Sequence, residues 1–209
     1  MLASAYHRFR RYLHNTGWIV AEKLFVMALG FVATVVVARY LGPGDFGILA
    51  YATSLAALFG IAGHLGLQGL VVRELVKKPA LRAETLGTTA VLKLGGVLVG
   101  YLALLVYAAM YEGADSRAFA LIAIAGAALL FMPLNVIDYW FNAFVQARYV
   151  SIARAAGAVV FAGGMLWLVI EGAGIVAFAA PYFLQALVAA VVLLLLFRAR
   201  SGMRLADWR

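Results

Sequence analysis

The sequence predicts an all-α, polytopic membrane protein that forms one six-helix bundle. Hydrophobic residues make up 66% of the 209-residue chain and charged residues only 12%, whereas soluble domains carry roughly 25% charged residues. A globular domain of this size could not bury so much apolar surface in its own core. The apolar residues also fall into runs of about the 20 residues that cross a bilayer. Lipid is therefore expected to cover most of the surface.

Six runs have this length. They cover residues 18–40, 46–75, 85–111, 117–146, 149–170 and 175–197. We expect them to form a single transmembrane unit over residues 1–209, with the longer second and fourth helices extending into water. Pro133 should kink the fourth helix, because proline removes a backbone donor. Gly96 and Gly100 form a G-x-x-x-G pattern on the third run, which predicts close helix packing.

The basic residues between the runs predict the orientation. Thirteen lie in the two tails and at alternate connections: Arg8, Arg10, Arg11, Arg73, Lys77, Lys78, Arg82, Arg148, Arg154, Arg198, Arg200, Arg204 and Arg209. The remaining connections hold only Arg39 and Arg117. Since positive residues stay in the cytoplasm, both termini are expected there, in a multi-pass protein of the cell inner (plasma) membrane.

Several function classes are disfavoured. The chain has no cysteine and three histidines, and no H-E-x-x-H pattern, so no metal or other cofactor is expected. The basic residues form no single patch, which argues against a nucleic-acid partner. The short outer connections carry no nucleophile and base, so an enzyme is not expected. Residues 42–47 read G-P-G-D-F-G and match G-x-G-x-x-G, but they follow a membrane-length run, so we interpret them as a tight turn.

Ionisable residues within or beside the runs are the candidate site residues, since charge inside a membrane is costly and usually faces a cavity or a partner. These cavity candidates for substrate binding are Glu22, Lys23, Arg39, His64, Lys93 and Asp138. Lys93 is predicted to face the cavity and hold an anionic headgroup, with Asp138 or Glu22 as its partner when the site is empty. The alternative is that Lys93 extends its ammonium group to the interface and that Glu22 and Lys23 lie among the headgroups.

Several segments, in order along nearly the whole chain, together resemble one family. Residues 38–47 read A-R-Y-L-G-P-G-D-F-G, which is similar to the A-R-Y-L-G-P-x-x-[YF]-G turn of the polysaccharide biosynthesis proteins. Residues 133–141, P-L-N-V-I-D-Y-W-F, and 146–150, Q-A-R-Y-V, are also in the style of that family. These proteins are oligosaccharide flippases related to the O-antigen flippase, in the superfamily of the MATE multidrug exporters and the lipid II flippase.

The resemblance implies that the six helices form one lobe of a two-lobed transporter with a central cationic cavity and alternating access. It also implies an undecaprenyl-pyrophosphate-linked oligosaccharide as substrate. Two features depart from the family. The given sequence ends at Arg209, before a second lobe, which leaves open a fragment, a truncated reading frame or a pairing half. In addition, residues 161–165 lack the lysine that relatives often carry.

The function expected from all this is a flippase for polysaccharide (O-antigen or exopolysaccharide) biosynthesis. Its expected partners are the lipid-linked oligosaccharide, membrane lipids, and a second six-helix lobe or another copy of the chain. Three alternatives stay open: an ion-coupled multidrug exporter using Asp138 as its deep carboxylate, a membrane enzyme, and a non-transporting scaffold half.

Overall fold

The computed structural model describes residues 2–64 and 66–201, with side chains from Gly17 onward, and all regular elements in this part of the chain are helical. The α-helices are α1 (Leu2–Gly60), α2 (Gln68–Lys77), α3 (Arg82–Tyr111), α4 (Arg117–Ala127), α5 (Val136–Ala143), α6 (Ala147–Ile170) and α7 (Ala180–Ser201). Short 3-10 turns lie at Ile61–Gly63, Pro79–Leu81, Ala128–Asn135 and Ile175–Ala179. The predicted all-α class is confirmed. The side chains of Arg8, Arg10 and Arg11, and residues Arg204 and Arg209, lie outside the described part.

Five stretches of the described residues are long and apolar enough, by length and composition, to cross a membrane. They are Gly17–Gly63, Pro79–Tyr111, Arg117–Ala143, Ala147–Ile170 and Ile175–Ser201. The first contains 47 residues, about twice what one crossing requires. This stretch reverses direction within α1, so it is long enough for two crossings, which gives six candidate crossings among the described residues.

The reversal in α1 occurs at Gly42, where φ is 72° and ψ is 174°. Only glycine adopts this φ readily, and the following Pro43 begins the second arm at a position that tolerates a missing N–H. Ala33 and Val37 of the first arm (residues 2–41) line a small cavity together with Leu49 of the second arm (residues 43–60). The arms therefore lie side by side, and the turn predicted at residues 42–47 is found, confined to Gly42.

The run predicted as one helix over residues 46–75 is divided in the structure. The second arm ends at Gly60, and α2 begins only at Gln68. Between them Gly66 has φ 61°, a conformation that cannot continue a right-handed helix. In α2 the Lys78 ammonium, 2.8 Å from Glu74, lowers the pKa of that exposed carboxyl. A charged helix of this kind belongs at the membrane surface.

The run predicted over residues 117–146 is also discontinuous. α4 ends at Ala127, the chain continues as a 3-10 turn through Ala128–Asn135, and α5 follows. Pro133 lies inside this turn, and its missing N–H removes the hydrogen bond that a continuous α-helix would need there. The predicted kink is therefore a change of helix type over eight residues, which changes the direction of α5 and its side chains.

Polar contacts at one end of the bundle tie the alternate connections together. The Tyr40 hydroxyl donates to the Ala173 carbonyl at 3.1 Å, which joins the α1 turn to the connection between α6 and α7. The Tyr51 hydroxyl donates to Glu112 at 3.0 Å, just beyond the end of α3. This grouping of alternate connections at one end is what successive membrane crossings require.

Gly96 and Gly100 of α3 lie directly against the backbone at the end of the second arm and just after it. A Cβ on Gly96 would lie 2.5 Å from the Ala62 carbonyl oxygen, and one on Gly100 would lie 2.6 Å from that of Phe59. Backbones approach this closely only where side chains are absent. The packing role predicted for the G-x-x-x-G pattern is confirmed.

Gly100→Ala should therefore destabilise the bundle, because its methyl group meets fixed backbone. We expect a loss of about 1–3 kcal/mol, which corresponds to a fall in Tm of several degrees for a protein of this size. Gly95→Ala is the matched control, since nothing lies within 4 Å of its added Cβ. Thermal unfolding of both variants in detergent provides the test, and equal Tm values for them would contradict the packing role.

Candidate functional site

A cavity of about 300 Å³ lies within the bundle. Its walls come from the first arm of α1, the segment 128–138, α6 and α7. Six polar side chains line it: Glu22, Asn135, Asp138, Arg154, Tyr182 and Gln185. Much of the remaining wall consists of alanines, namely Ala128, Ala153, Ala186, Ala189 and Ala190. The small alanine side chains leave this volume unfilled, and the six polar side chains give it groups that can bind a ligand. We call this space the polar cavity.

An ion pair forms one wall of the polar cavity. Arg154 Nη2 donates to Asp138 Oδ2 at 2.8 Å. Asp138 is 7% exposed, while the side chain of Arg154 is 51% exposed. A carboxylate in a membrane-spanning segment is costly unless a cation and hydrogen bonds compensate it, and an arginine supplies both. The pair thus stabilises Asp138 and leaves most of the guanidinium open to the cavity.

The polar cavity has an acidic balance. Glu22 and Asp138 contribute two carboxylates, against one guanidinium from Arg154. The cationic cavity implied by the family resemblance lies between two lobes, whereas this one lies inside a single bundle. Two membrane carboxylates facing one cavity can bind a cation or a proton, and they disfavour an anion that does not displace Asp138 from Arg154.

A second, smaller cavity adjoins the first. Its volume is about 190 Å³, and Thr34 and Thr53 of the two α1 arms are among the residues that line it. Tyr182 lines both cavities, and its ring packs edge-on against Phe161 at 5.0 Å between centroids. Tyr182 therefore separates the two spaces along the bundle.

Lys93 lies outside the polar cavity. It is 1% exposed, its Nζ donates to the Tyr139 hydroxyl at 3.1 Å, and it lies 5.0 Å from the centre of that ring. The close partner of Lys93 is therefore Tyr139, and among the described residues no ion pair within 4.0 Å joins it to Asp138 or Glu22. The expected partnership with Asp138 or Glu22 stays a prediction. Adjacent residues on a helix point about 100° apart, so α5 presents Tyr139 to α3 while Asp138 faces α6. Such deep burial also leaves no room for the alternative in which Lys93 reaches the interface.

Lys23, Arg39 and His64 are exposed, and none of them lines the polar cavity. Lys23 follows Glu22 on the first arm but points away from it, as neighbours on a helix do. Arg39 lies near the Gly42 turn, and His64 ends the 3-10 turn after the second arm. Of the six candidates, the structure brings only Glu22 and Asp138 together. A substrate-binding role for all six remains a prediction.

The family model described as polysaccharide biosynthesis protein matches residues 12–208. The chain belongs to the polysaccharide biosynthesis protein family. No curated protein and no solved structure matches the chain. As suggested by residues 38–47, this polysaccharide biosynthesis family member combines the family sequence with a multi-pass membrane bundle. The segment 133–141 that also carried the resemblance supplies Asn135 and Asp138 to the polar cavity.

Sequence reasoning missed four lining residues of this family member, namely Asn135, Arg154, Tyr182 and Gln185. We assigned Arg154 to a cytoplasmic connection, although it lies two turns inside α6. Gln185 likewise lies inside the apolar α7. The signal was a polar residue within a membrane-length run, the same signal that identified Asp138. Which residues face the cavity depends on the rotation of each helix about its axis, and the apolar runs of the sequence do not predict that rotation.

The ion pair predicts a measurable coupling. Arg154→Gln leaves the Asp138 carboxylate buried without its cation, so we expect a loss of about 1–3 kcal/mol. Adding Asp138→Asn should recover part of that loss, because the uncompensated charge is then gone. Thermal unfolding of the two single variants and the double variant in detergent measures the coupling. Arg117→Gln, at an exposed arginine on α4, controls for loss of charge alone; strictly additive effects would refute the coupling.

Proposed function

We propose that this family member translocates an undecaprenyl-pyrophosphate-linked oligosaccharide across the inner membrane by alternating access, as one six-helix lobe of the transporter. The carrying observation is the polar cavity, with its Asp138–Arg154 pair, inside an otherwise apolar bundle of the polysaccharide biosynthesis family. Charged groups are rare inside membranes and usually mark substrate or ion pathways. The proposed reaction makes and breaks no covalent bond, so the chain is not expected to be an enzyme.

The physical task of such a protein is to lower the cost of moving polar groups through hydrocarbon. Glycan hydroxyls and a pyrophosphate each lose their hydration there, at a cost of several kcal/mol per group. The prenyl chain is apolar and can stay in the surrounding lipid. The protein therefore has to shield only the headgroup, along a polar surface that opens first to one leaflet and then to the other.

We propose that a second lobe packs on the first arm of α1. Its apolar side chains are widely exposed, with Met27 at 66% and Phe31 at 70%, and the same arm carries the exposed Lys23 and Arg39. Lys23 and Arg39 lie about 24 Å apart along the arm and on nearly opposite sides of the helix. A second six-helix lobe or another copy of the chain on this face would therefore enclose one of the two cations. That cation would then be available to the pyrophosphate, in a central cavity separate from the polar cavity.

Orientation in the membrane is part of the proposal and has its own test. With both termini cytoplasmic, the end of the bundle holding α2 and the start of α6 faces inward, and the polar cavity opens toward the cytoplasmic half. A single cysteine at Ala186, which lines the cavity, should react with a small cationic methanethiosulfonate added from the cytoplasmic side. The chain has no native cysteine, so the background is empty.

Ala158→Cys is the matched control, because Ala158 is 3% exposed and lines neither cavity. We expect fast labelling of Ala186→Cys in inside-out vesicles and slow labelling in right-side-out spheroplasts. The reverse pattern would overturn the orientation, and equally slow labelling of both variants would show that water does not reach the polar cavity.

A second candidate function is ion-coupled multidrug export. The observation that favours it is the placement of Glu22 and Asp138 on one cavity with an acidic balance, as a site for H⁺ or Na⁺ would require. An exporter and a flippase of one superfamily can share such a coupling site. They differ in what the central cavity carries, so transport assays rather than the polar cavity discriminate between them.

The decisive experiment measures glycolipid sidedness in cells with and without the intact gene encoding this chain. We expect deletion to trap undecaprenyl-linked glycan in the inner leaflet, and the wild-type gene to restore its appearance outside. Arg154→Gln should restore little, and Arg117→Gln should restore fully, when both are normalised to protein in the membrane. Unchanged sidedness in a strain with no other flippase would reject the proposal, and loss of drug efflux in that strain would favour the exporter.

A further inference from the structure

Two arginines converge on one buried aromatic ring at the end of the bundle where α6 begins and α7 ends. The guanidinium carbon of Arg148 lies 4.6 Å from the centre of the Tyr149 ring, and that of Arg200 lies 5.0 Å from it. Tyr149 is 6% exposed, and its hydroxyl accepts a 2.6 Å hydrogen bond from Arg148. Both arginines are exposed. We call this arrangement the arginine–tyrosine clamp.

Among the described residues, the clamp has no carboxylate paired with either arginine. Every ion pair within 4.0 Å in this part of the chain involves Glu74 or Asp138, and none involves Arg148 or Arg200. Like charges on flexible side chains normally separate in water, since repulsion and side-chain entropy both favour it. Here the attraction of both guanidiniums to one ring keeps each of them within 5.0 Å of its centre. The result is a prearranged site for an anion.

Aromatic packing fixes the depth of the clamp. Tyr149 packs against Phe141 at 5.2 Å, and Phe141 continues the contact to Trp140 at 5.1 Å. Trp140 in turn packs on Phe144 at 4.9 Å, and the guanidinium of Arg82 lies 4.8 Å from the Phe144 ring. Aromatic rings concentrate at the level of the headgroups. The arginines of this network are therefore held where lipid phosphates lie.

We propose that the arginine–tyrosine clamp binds the phosphate of an anionic phospholipid headgroup. Stacking uses the flat face of a guanidinium and leaves its edge N–H groups free, and these donate well to phosphate oxygens. The lipid is favoured over the transported headgroup because neither Arg148 nor Arg200 lines the polar cavity or lies on the first arm of α1. The inference is independent of the proposed transport function.

Binding to purified, delipidated protein in detergent micelles tests the clamp. The probes are phosphatidylglycerol, phosphatidylcholine and inorganic pyrophosphate, each titrated while the shift in Tm is followed. We expect saturable stabilisation by phosphatidylglycerol and none by phosphatidylcholine. If pyrophosphate stabilises the protein as strongly as phosphatidylglycerol at equal concentration, the clamp is a soluble-anion site and the lipid assignment falls.

The double variant Arg148→Gln/Arg200→Gln should bind phosphatidylglycerol at least about tenfold more weakly, because it removes the charge-assisted hydrogen bonds of both guanidiniums to the phosphate. The matched control, Lys77→Gln/Arg198→Gln, removes the same charge from exposed residues that contact no aromatic ring among those described, and should bind nearly as tightly as wild type. Equal weakening in both doubles would overturn the clamp in favour of diffuse attraction. If the clamp double does not fold, Arg200→Gln alone against Arg198→Gln gives the same comparison.

Discussion

Hydrocarbon offers no hydrogen-bond partner to a charge or a peptide group, and this constraint shapes both the backbone and the polar side chains of the bundle. Asp138 remains in a membrane-spanning segment because Arg154 supplies a cation and a donor 2.8 Å away. Lys93, almost wholly buried, is met by the hydroxyl and the ring of Tyr139. Each buried charge is thus bound by a side chain of a neighbouring helix. The Asp138–Arg154 pair joins α5 to α6, and the Lys93–Tyr139 hydrogen bond joins α3 to α5.

The helical class and the crossings were predictable because run length is a direct measure of membrane thickness. Gly42 and the Gly96–Gly100 pair were also predictable, since a positive φ and a close backbone approach each require glycine. The break before α2 was not, although Gly66 carries the left-handed conformation that causes it. Hydropathy averages over such a residue, and the flanking apolar side chains concealed the end of the helix.

The candidate site was only partly visible in the sequence, for a different reason. The cost of intramembrane charge identified Glu22 and Asp138, which the structure places on one cavity. Which side chain pairs with each charge depends instead on how each helix is rotated about its axis. On α5, Asp138 points toward Arg154 and Tyr139 points toward Lys93. Arg154 itself was misread because arginines near a helix end are usually topology signals. In the structure Arg154 lies two turns inside α6, far enough from the helix end to face the polar cavity.

The negative charge of the polar cavity bears on where the proposed transporter would bind the headgroup and where it would bind a coupling ion. A pyrophosphate entering it would face Glu22 and Asp138, and would gain Arg154 only by displacing a short, charge-assisted hydrogen bond. An exposed cation on the first arm, Lys23 or Arg39, imposes no such cost. The headgroup would therefore be better held on that face, by a cavity completed with a second lobe. The acidic polar cavity behind it would then suit a small cation or proton, whose binding could change the Asp138–Arg154 contact and so the packing of α5 on α6.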